Sequence, residues 1–157
     1  MKIKGFTLLE LLITMFLFII LSFIGIASYS YLLNKNEQQT IIDELRTAIQ
    51  YAKFQANILG HPVHLAPLDG SLNWTKGMAL SVLNKQNNKM ELIYQWQWQH
   101  PRWNLNWEGV RSTDKIIFSN NPIQAISNGH FTLVNTHTHE QIVIILNRLG
   151  RVRVSSQ

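Results

Sequence analysis

Three arginines near the end of the chain form its most specific candidate site. Arg148, Arg151 and Arg153 follow an apolar segment, and residues 141–157 contain no acidic side chain. Gly150 lies between them and can adopt the positive φ of a tight turn. Guanidinium groups bind phosphate through two parallel hydrogen bonds. The pattern therefore predicts a surface site for phosphate groups, with no catalytic step.

The residues that alternate with the arginines predict how this site is presented. In an extended strand, Arg151 and Arg153 project to one side, and the valine that follows each of them projects to the other. We expect both valines to pack on the domain. The two arginines would then project together, with Arg148 nearby across the turn.

Two further groups of residues could carry chemistry, and each has a simpler structural interpretation. His137 and His139 would share one face of a strand. Without a third ligand, they favour a polar surface turn over a metal site. Four tryptophans could stack on single-stranded bases, although alternation along a strand is more typical of a buried core. These are Trp96, Trp98, Trp103 and Trp107.

No arrangement typical of an enzyme is visible in the sequence. It lacks a Ser/His/Asp set, a paired-carboxylate cleft, a phosphate-binding loop and a nucleotide-binding motif. It also contains no cysteine, which excludes a disulfide framework, a thiolate nucleophile and a cysteine-ligated metal. We therefore predict a protein that is not an enzyme and that has no cofactor and no metal centre.

Length and composition predict about one globular domain. The chain has 157 residues, of which 46% are apolar and 15% are charged. These values exclude a disordered tail and a large multi-domain enzyme. The net charge of +5 arises at the two ends, from Lys2 and Lys4 at one and from the three arginines at the other. The basic character is therefore two local features.

The N-terminal segment has the properties of a membrane helix. Residues 11–33 carry no charge and are rich in Leu, Ile and Phe, and about 20 apolar residues span a bilayer. Lys2 and Lys4 precede this segment, so the positive-inside rule leaves the start of the chain in the cytoplasm and sends the rest outward. A cleaved secretory signal is the alternative, but the segment is long for one and no small-residue cleavage site follows it.

Glu10 is an unexpected residue at the start of that apolar segment. A carboxylate costs about 2.5–3.5 kcal/mol at the centre of a membrane helix, and less near an interface, where it could reach headgroup water. The segment from Lys4 to Glu10 resembles the type IV prepilin signal. The resemblance implies cleavage between Gly5 and Phe6 by a prepilin peptidase, with methylation of the Phe6 amine. It also implies that Glu10 pairs with the N-terminal amine of a neighbouring subunit in a filament.

A single long helix is predicted from about Phe6 to Leu59. Apolar residues recur at helical spacing over its second half, which keeps one face apolar. Gly60 and Pro62 then form a stop signal. We therefore divide the chain into a leader at residues 1–5, a membrane or filament-core helix at residues 6–33 and a soluble head at residues 34–157.

A second stripe on this helix consists of Tyr51, Phe54 and Ile58, away from the main apolar face. Partial burial under a loop is its structural interpretation, and a contact with a neighbouring subunit is its functional one. Serine substitutions at Tyr51 and Phe54 distinguish the two. Loss of assembly with an intact fold indicates a contact, whereas unfolding indicates a core position.

After Pro62 the apolar pattern changes from a helical period to the alternation of strands. A turn at residues 147–150 predicts a last short strand with Val152 and Val154, and a polar segment joins the two strands before it into a hairpin. One long helix followed by an antiparallel sheet predicts an α+β fold. The other predicted strands are residues 63–68, 78–83, 91–99, 115–118, 131–134 and 141–146.

Almost the whole chain resembles the GspH/FimT family of minor pilins and pseudopilins, and most closely its FimT-like members. The resemblance implies a type IV pilin-like fold. It also implies a single-pass anchor in the inner membrane with a periplasmic C-terminal domain, before the protein reaches the pilus or cell surface. It rests on the prepilin signal, on the helix that ends near Gly60 and on the Gly-Arg-x-Arg ending at residues 150–153. Many relatives carry cysteines in the C-terminal strands, whereas this chain has none, and Asn135 lies near one such position.

The resemblance also implies that the C-terminal arginines bind DNA. In FimT-like minor pilins the basic ending is associated with DNA binding during natural transformation, and the match covers Gly150, Arg151 and Arg153. Arg148 joins them on grounds of charge. Because no recognition helix or base-reading set is visible, contacts would go to the DNA backbone and would be salt-sensitive and independent of sequence. Three phosphate contacts predict a log–log salt slope of about −2.7.

Two functions from different classes are consistent with these patterns. The first is a minor pilin that captures extracellular DNA at a pilus or cell surface, with DNA, other pilins, prepilin peptidase and the inner membrane as partners. The second is a structural minor pilin or type II secretion pseudopilin that primes filament assembly, with the arginines in contact with protein. Arginine variants that lose DNA uptake but keep piliation would favour the first, and loss of piliation or secretion would favour the second.

Overall fold

The computed structural model describes residues 7–70, 72–85, 87–121, 123–125 and 127–156, apart from the side chains of residues 23–28 and 156. The predicted cleavage site at Gly5 and Phe6 lies outside the described residues. The chain divides into two compact units, one ending at Thr40 and the other beginning at Ile41. The described residues form one helix, α1, and eight strands, β1 to β8.

Helix α1 spans Leu8–Leu59, so its predicted end is confirmed. Thr7 and Glu10 close its first turn as a capping box. The Thr7 hydroxyl accepts a hydrogen bond from the Glu10 N–H at 3.3 Å, and Glu10 Oε2 accepts one from the Thr7 N–H at 2.9 Å. At the other end Gly60 has a φ of 64°, the left-handed conformation that commonly terminates helices.

The first unit consists of the N-terminal part of α1. Its large apolar side chains are exposed, from Leu8 at 82% to Leu33 at 37%. Among the described residues, no helix combines the length and the apolarity that crossing a bilayer requires. The membrane-spanning segment predicted at residues 6–33 is therefore not confirmed.

The second unit contains two antiparallel sheets of four strands each. Sheet A has the strand order β3-β2-β1-β5, and sheet B has the order β4-β6-β7-β8. The strands are β1 (Val63–Pro67), β2 (Gly77–Asn84), β3 (Lys89–Gln97), β4 (Trp103–Gly109), β5 (Ile116–Phe118), β6 (Gly129–Asn135), β7 (Gln141–Leu146) and β8 (Val152–Ser156).

The core joins the second half of α1 to the inner faces of both sheets. Alanines at positions 48, 52 and 56 are at most 1% exposed, and their small side chains allow the sheets to approach the helix closely. Phe131 lies between two tryptophans, with ring centroids 5.4 Å from Trp74 and 4.6 Å from Trp107. Alternation along the strands places these side chains inside.

The sequence predicted one antiparallel sheet, whereas the structure has two. Strand β4 is not among the predicted strands. Its inward side chains, Trp103, Leu105 and Trp107, are buried, and the residues between them are exposed. This strict alternation is the sequence signal that predicts the strand. The core interpretation of the tryptophans is confirmed for Trp98, Trp103 and Trp107, all at most 9% exposed, whereas Trp96 is half-buried against the core.

The strand predicted at residues 91–99 differs from the structure in its bounds. Strand β3 ends at Gln97, and its pairing with β2 shifts between Leu80 and Ser81. Tyr94 and Trp96 lie on one face, as predicted, since both rings contact Tyr51. Tyr94 is 49% exposed, whereas Trp98 is buried beyond the end of the strand. Tyr51 lies over the same strand, with its ring centroid 5.5 Å from that of Tyr94.

The stripe on α1 does not behave as one surface. Tyr51 is half-buried and packs against the core, which agrees with the structural interpretation. Phe54 and Ile58 remain 59% and 62% exposed. The subunit contact proposed for them stays a prediction.

Candidate functional site

The three arginines lie at and beyond the turn between β7 and β8, which we call the β7–β8 turn (residues 147–151). The Asn147 N–H donates to the Arg151 carbonyl at 3.0 Å, and the Gly150 N–H donates to the Asn147 carbonyl at 2.8 Å. Gly150 has a φ of 71°, so the predicted tight turn with a left-handed glycine is confirmed. Because Asn147 is paired with Arg151, residues 148–150 form a three-residue loop. Loops of this length commonly end in a left-handed residue.

Two polar side chains hold the turn in this conformation. Asn147 Oδ1 accepts hydrogen bonds from the N–H groups of Leu149 at 3.0 Å and of Arg151 at 2.8 Å. The Ser127 hydroxyl donates to the Arg148 carbonyl at 2.9 Å, and Ser127 is 1% exposed. The predicted turn begins at Asn147, as observed, but the role of its side chain was not predicted, although an Asn at the start of a turn commonly accepts backbone N–H groups. Ser127 had no local signal.

The side chains of Arg148, Arg151 and Arg153, which we call the arginine cluster, are all exposed. In the described part of the chain, no carboxylate oxygen lies within 4 Å of their guanidinium nitrogens. Their hydrogen-bonding groups therefore remain available to a ligand in solvent. The turn fixes the backbone that carries the arginines, and their exposed guanidinium groups can form paired hydrogen bonds with phosphate.

Strand pairing defines the surroundings of Arg153. It stands opposite Ile145, which stands opposite His130, which in turn stands opposite Glu108. Side chains that are directly opposite share one face of a sheet. Glu108 Oε2 lies 3.4 Å from His130 Nε2, and three strand spacings, about 14 Å, separate Glu108 from Arg153. The Glu108 carboxylate is therefore paired with His130 and lies far from the Arg153 guanidinium.

The valines and Arg151 differ from the predicted arrangement in part. Val152 stands opposite Leu146 and is half-buried against the core. Val154 keeps 38% of its surface exposed, so its expected packing is incomplete. Arg151 precedes β8 and lies in the turn, because Asn147 holds its N–H. The strand ladder therefore orients Arg153 but not Arg151.

The other predicted site residues lie apart from the arginine cluster. His137 and His139 are exposed in the turn between β6 and β7, where the Asn135 Oδ1 accepts from the His137 N–H at 2.9 Å. The Glu10 carboxylate accepts the Thr7 hydroxyl at 2.9 Å. In the described residues, no three side chains of His, Asp or Glu are grouped to hold a metal ion.

Comparison with family descriptions gives two matches to the sequence. The description of the type II transport protein GspH matches residues 42–150, which include most of the second unit and the β7–β8 turn up to Gly150. The prokaryotic N-terminal methylation motif matches residues 1–26. No curated protein sequence matches the chain.

Solved structures with a similar fold include a minor pilin and a minor pseudopilin. The type IV minor pilin FimU of Pseudomonas aeruginosa is 18% identical in one crystal form, with a TM-score of 0.60 over 78% of this chain and 90% of that one. A second crystal form gives 17% identity and a TM-score of 0.56, over 74% and 91% of the two chains. The minor pseudopilin EpsH from the type 2 secretion system of Vibrio cholerae is 10% identical, with a TM-score of 0.52 over 76% and 97%. These likenesses confirm the type IV pilin-like fold.

Proposed function

The chain belongs to the GspH family as a minor pilin or pseudopilin, and we propose that it binds DNA through the arginine cluster. The observation that carries this proposal is the fixed β7–β8 turn with three exposed guanidinium groups, which have no carboxylate oxygen within 4 Å among the described residues. The same turn leads into β8, which is an edge strand of sheet B.

The chemistry of the arginine cluster favours a phosphate backbone over a base edge. Guanidinium groups on an exposed turn reach phosphates, and the sequence shows no recognition helix that would carry side chains into a groove. Binding is then independent of sequence and weakens with salt, by about 0.9 in log–log slope for each phosphate contact. Several copies along a filament increase the overall affinity through avidity.

We further propose that this DNA binding serves uptake during natural transformation. The protein acts as a binding component without catalysis or cofactor. Prepilin peptidase cleaves between Gly5 and Phe6, and the Phe6 amine is then methylated. The protein is held in the inner membrane with its C-terminal unit in the periplasm, and it enters a pilus in which Glu10 pairs with the Phe6 amine of a neighbouring pilin. The methylation motif at residues 1–26 supports this course.

The test is DNA binding by the full-length protein in a non-ionic detergent. Fluorescence anisotropy of a labelled duplex is measured between about 0.05 and 0.2 M salt, where backbone contacts change affinity most clearly. The variant is Arg148→Gln, Arg151→Gln and Arg153→Gln together. The matched control removes three other exposed charges, with Lys35→Gln, Lys85→Gln and Lys89→Gln. Circular dichroism checks that both remain folded.

We expect the arginine variant to lose binding by about a hundredfold or more at 0.1 M salt, because three contacts contribute a slope of about −2.7. The control is expected to retain most of the affinity. Equal losses in the two variants would show that only the net charge matters. No binding by the folded wild-type protein at low salt would refute the proposal.

A structural role in filament assembly is the second candidate function. It is favoured by the exposed apolar side chains of α1, among them Leu8 at 82% and Phe18 at 74%, since exposed apolar surface commonly marks an interaction site. In that case the arginine cluster contacts another protein. Normal DNA uptake in the triple arginine variant, with a loss of piliation or secretion, would select this function.

A further inference from the structure

We propose that Lys53 and Arg111 extend the arginine cluster on either side of Arg148, so that the DNA backbone follows a basic track of five side chains. This inference rests on the proposed DNA binding and adds two phosphate-contacting residues to it. Neither residue belongs to the C-terminal motif, since Lys53 lies on α1 and Arg111 follows β4. Only the folded chain brings them to the β7–β8 turn.

Arg148 borders two separate clefts, and each contains one further basic residue. The first cleft has a volume of about 190 Å³ and is lined by Arg148 together with Arg111, Val110, Ser127 and Asn128. Arg111 is exposed, as is Arg148. Two guanidinium groups on the walls of one open cleft can contact neighbouring phosphates, or the two free oxygens of one phosphate.

The second cleft lies on the α1 side of the turn and has a volume of about 150 Å³. Lys53 and Asn57 of α1, Ser119 after β5, and Arg148 and Leu149 of the turn line it. An ammonium group in this position acts as a point charge for a phosphate. The cleft therefore continues the basic surface from the turn onto the helix.

A close contact brings Lys53 to the turn. A Cβ atom added to Gly150 would lie 2.5 Å from Lys53 Cδ and 3.0 Å from its Cε. The carbon stem of Lys53 thus passes directly over Gly150, and the residue as a whole is half-buried. Gly150 therefore serves twice, since it adopts a positive φ and it leaves room for the lysine.

Among the described residues, no carboxylate oxygen lies within 4 Å of Lys53 Nζ or of the Arg111 guanidinium. The acidic residues nearest to Arg111 in sequence have other contacts. Glu108 faces His130 at 3.4 Å, and Asp114 accepts the Ser112 hydroxyl at 2.7 Å. That hydroxyl is also the main reason why the pKa of Asp114 is lowered.

The experiment compares salt slopes for DNA binding by the full-length protein in detergent. The test variant is Lys53→Gln with Arg111→Gln, and Gln retains most of the carbon stem over Gly150. The matched control is Lys85→Gln with Lys89→Gln, which removes the same charge from the β2–β3 end of sheet A. A third variant, Lys53→Arg with Arg111→Lys, keeps both charges. Thermal melts followed by circular dichroism compare the folded states.

Five contacts predict a wild-type slope of about −4.5, and the test variant should move it to about −2.7 with at least about tenfold weaker binding at 0.1 M salt. The control and the charge-conserving variant should keep the wild-type slope. A test variant that behaves like the control would overturn this inference, and the proposed function would stand if the triple arginine variant still lost binding. Absence of binding by the wild-type protein would overturn both.

Discussion

The two turns that flank strand β7 have the same construction and opposite chemistry. The β6–β7 turn (residues 135–140) begins with Asn135, and the β7–β8 turn begins with Asn147. In each, the Asn Oδ1 accepts two backbone N–H groups, from His137 and Thr138 in the first and from Leu149 and Arg151 in the second. One asparagine therefore organises each turn.

The two turns differ in their charged side chains and in the residue that adopts a left-handed conformation. The left-handed residue is His139 in the first turn, with a φ of 58°, and Gly150 in the second, with a φ of 71°. The first turn carries Glu140 among its polar side chains, whereas the second carries only arginines as charged groups. The two turns therefore share a backbone arrangement and differ in surface charge.

Among substitutions in the two turns, we expect the largest loss of stability at Asn135, the buried asparagine. Asn135 is 1% exposed, so Asn135→Ala leaves two backbone N–H groups without their acceptor in a half-buried site. We expect a loss of about 2 kcal/mol in the free energy of unfolding, measured by urea denaturation. DNA affinity at temperatures where the variant is folded should not change. A loss below about 0.5 kcal/mol would show that water replaces the side chain.

A smaller effect on stability is expected for Asn147→Ala, because this asparagine is only half-buried and water can reach the freed N–H groups. We expect a loss of about 1 kcal/mol in the free energy of unfolding. DNA binding should weaken about threefold, since the arginines lose their fixed backbone. The same anisotropy assay measures this effect, and Asn135→Ala is its control. Equal DNA affinities of the two variants would contradict a positioning role for Asn147.

The smallest effect concerns the left-handed residue of the β6–β7 turn. His139→Gly removes the strain of a side chain at positive φ, and this gain exceeds the entropy that glycine adds to the unfolded state. We expect about 0.5 kcal/mol of added stability by urea denaturation. Destabilisation by His139→Gly would mean that the histidine side chain itself supports the turn.

The sequence by itself determined the parts of the molecule that depend on local patterns. Gly60 and Pro62 predicted the end of α1, because each disfavours a further helical residue. The hairpin of β6 and β7 followed from apolar runs on either side of a polar segment. The β7–β8 turn and the exposed arginine cluster followed from Gly150 and from the alternation after it. In all three cases the physical cause lies within a few residues.

The tertiary structure alone decided which distant residues meet. Strand β4 was overlooked, and the division of eight strands into two sheets has no local signal, because pairing depends on contacts between separated segments. Trp74 is fully buried against Phe131 for the same reason. Lys53 and Arg111 look like ordinary surface charges in the sequence. They border the clefts beside Arg148 because the packing of α1 and sheet B brings three separate segments to one turn.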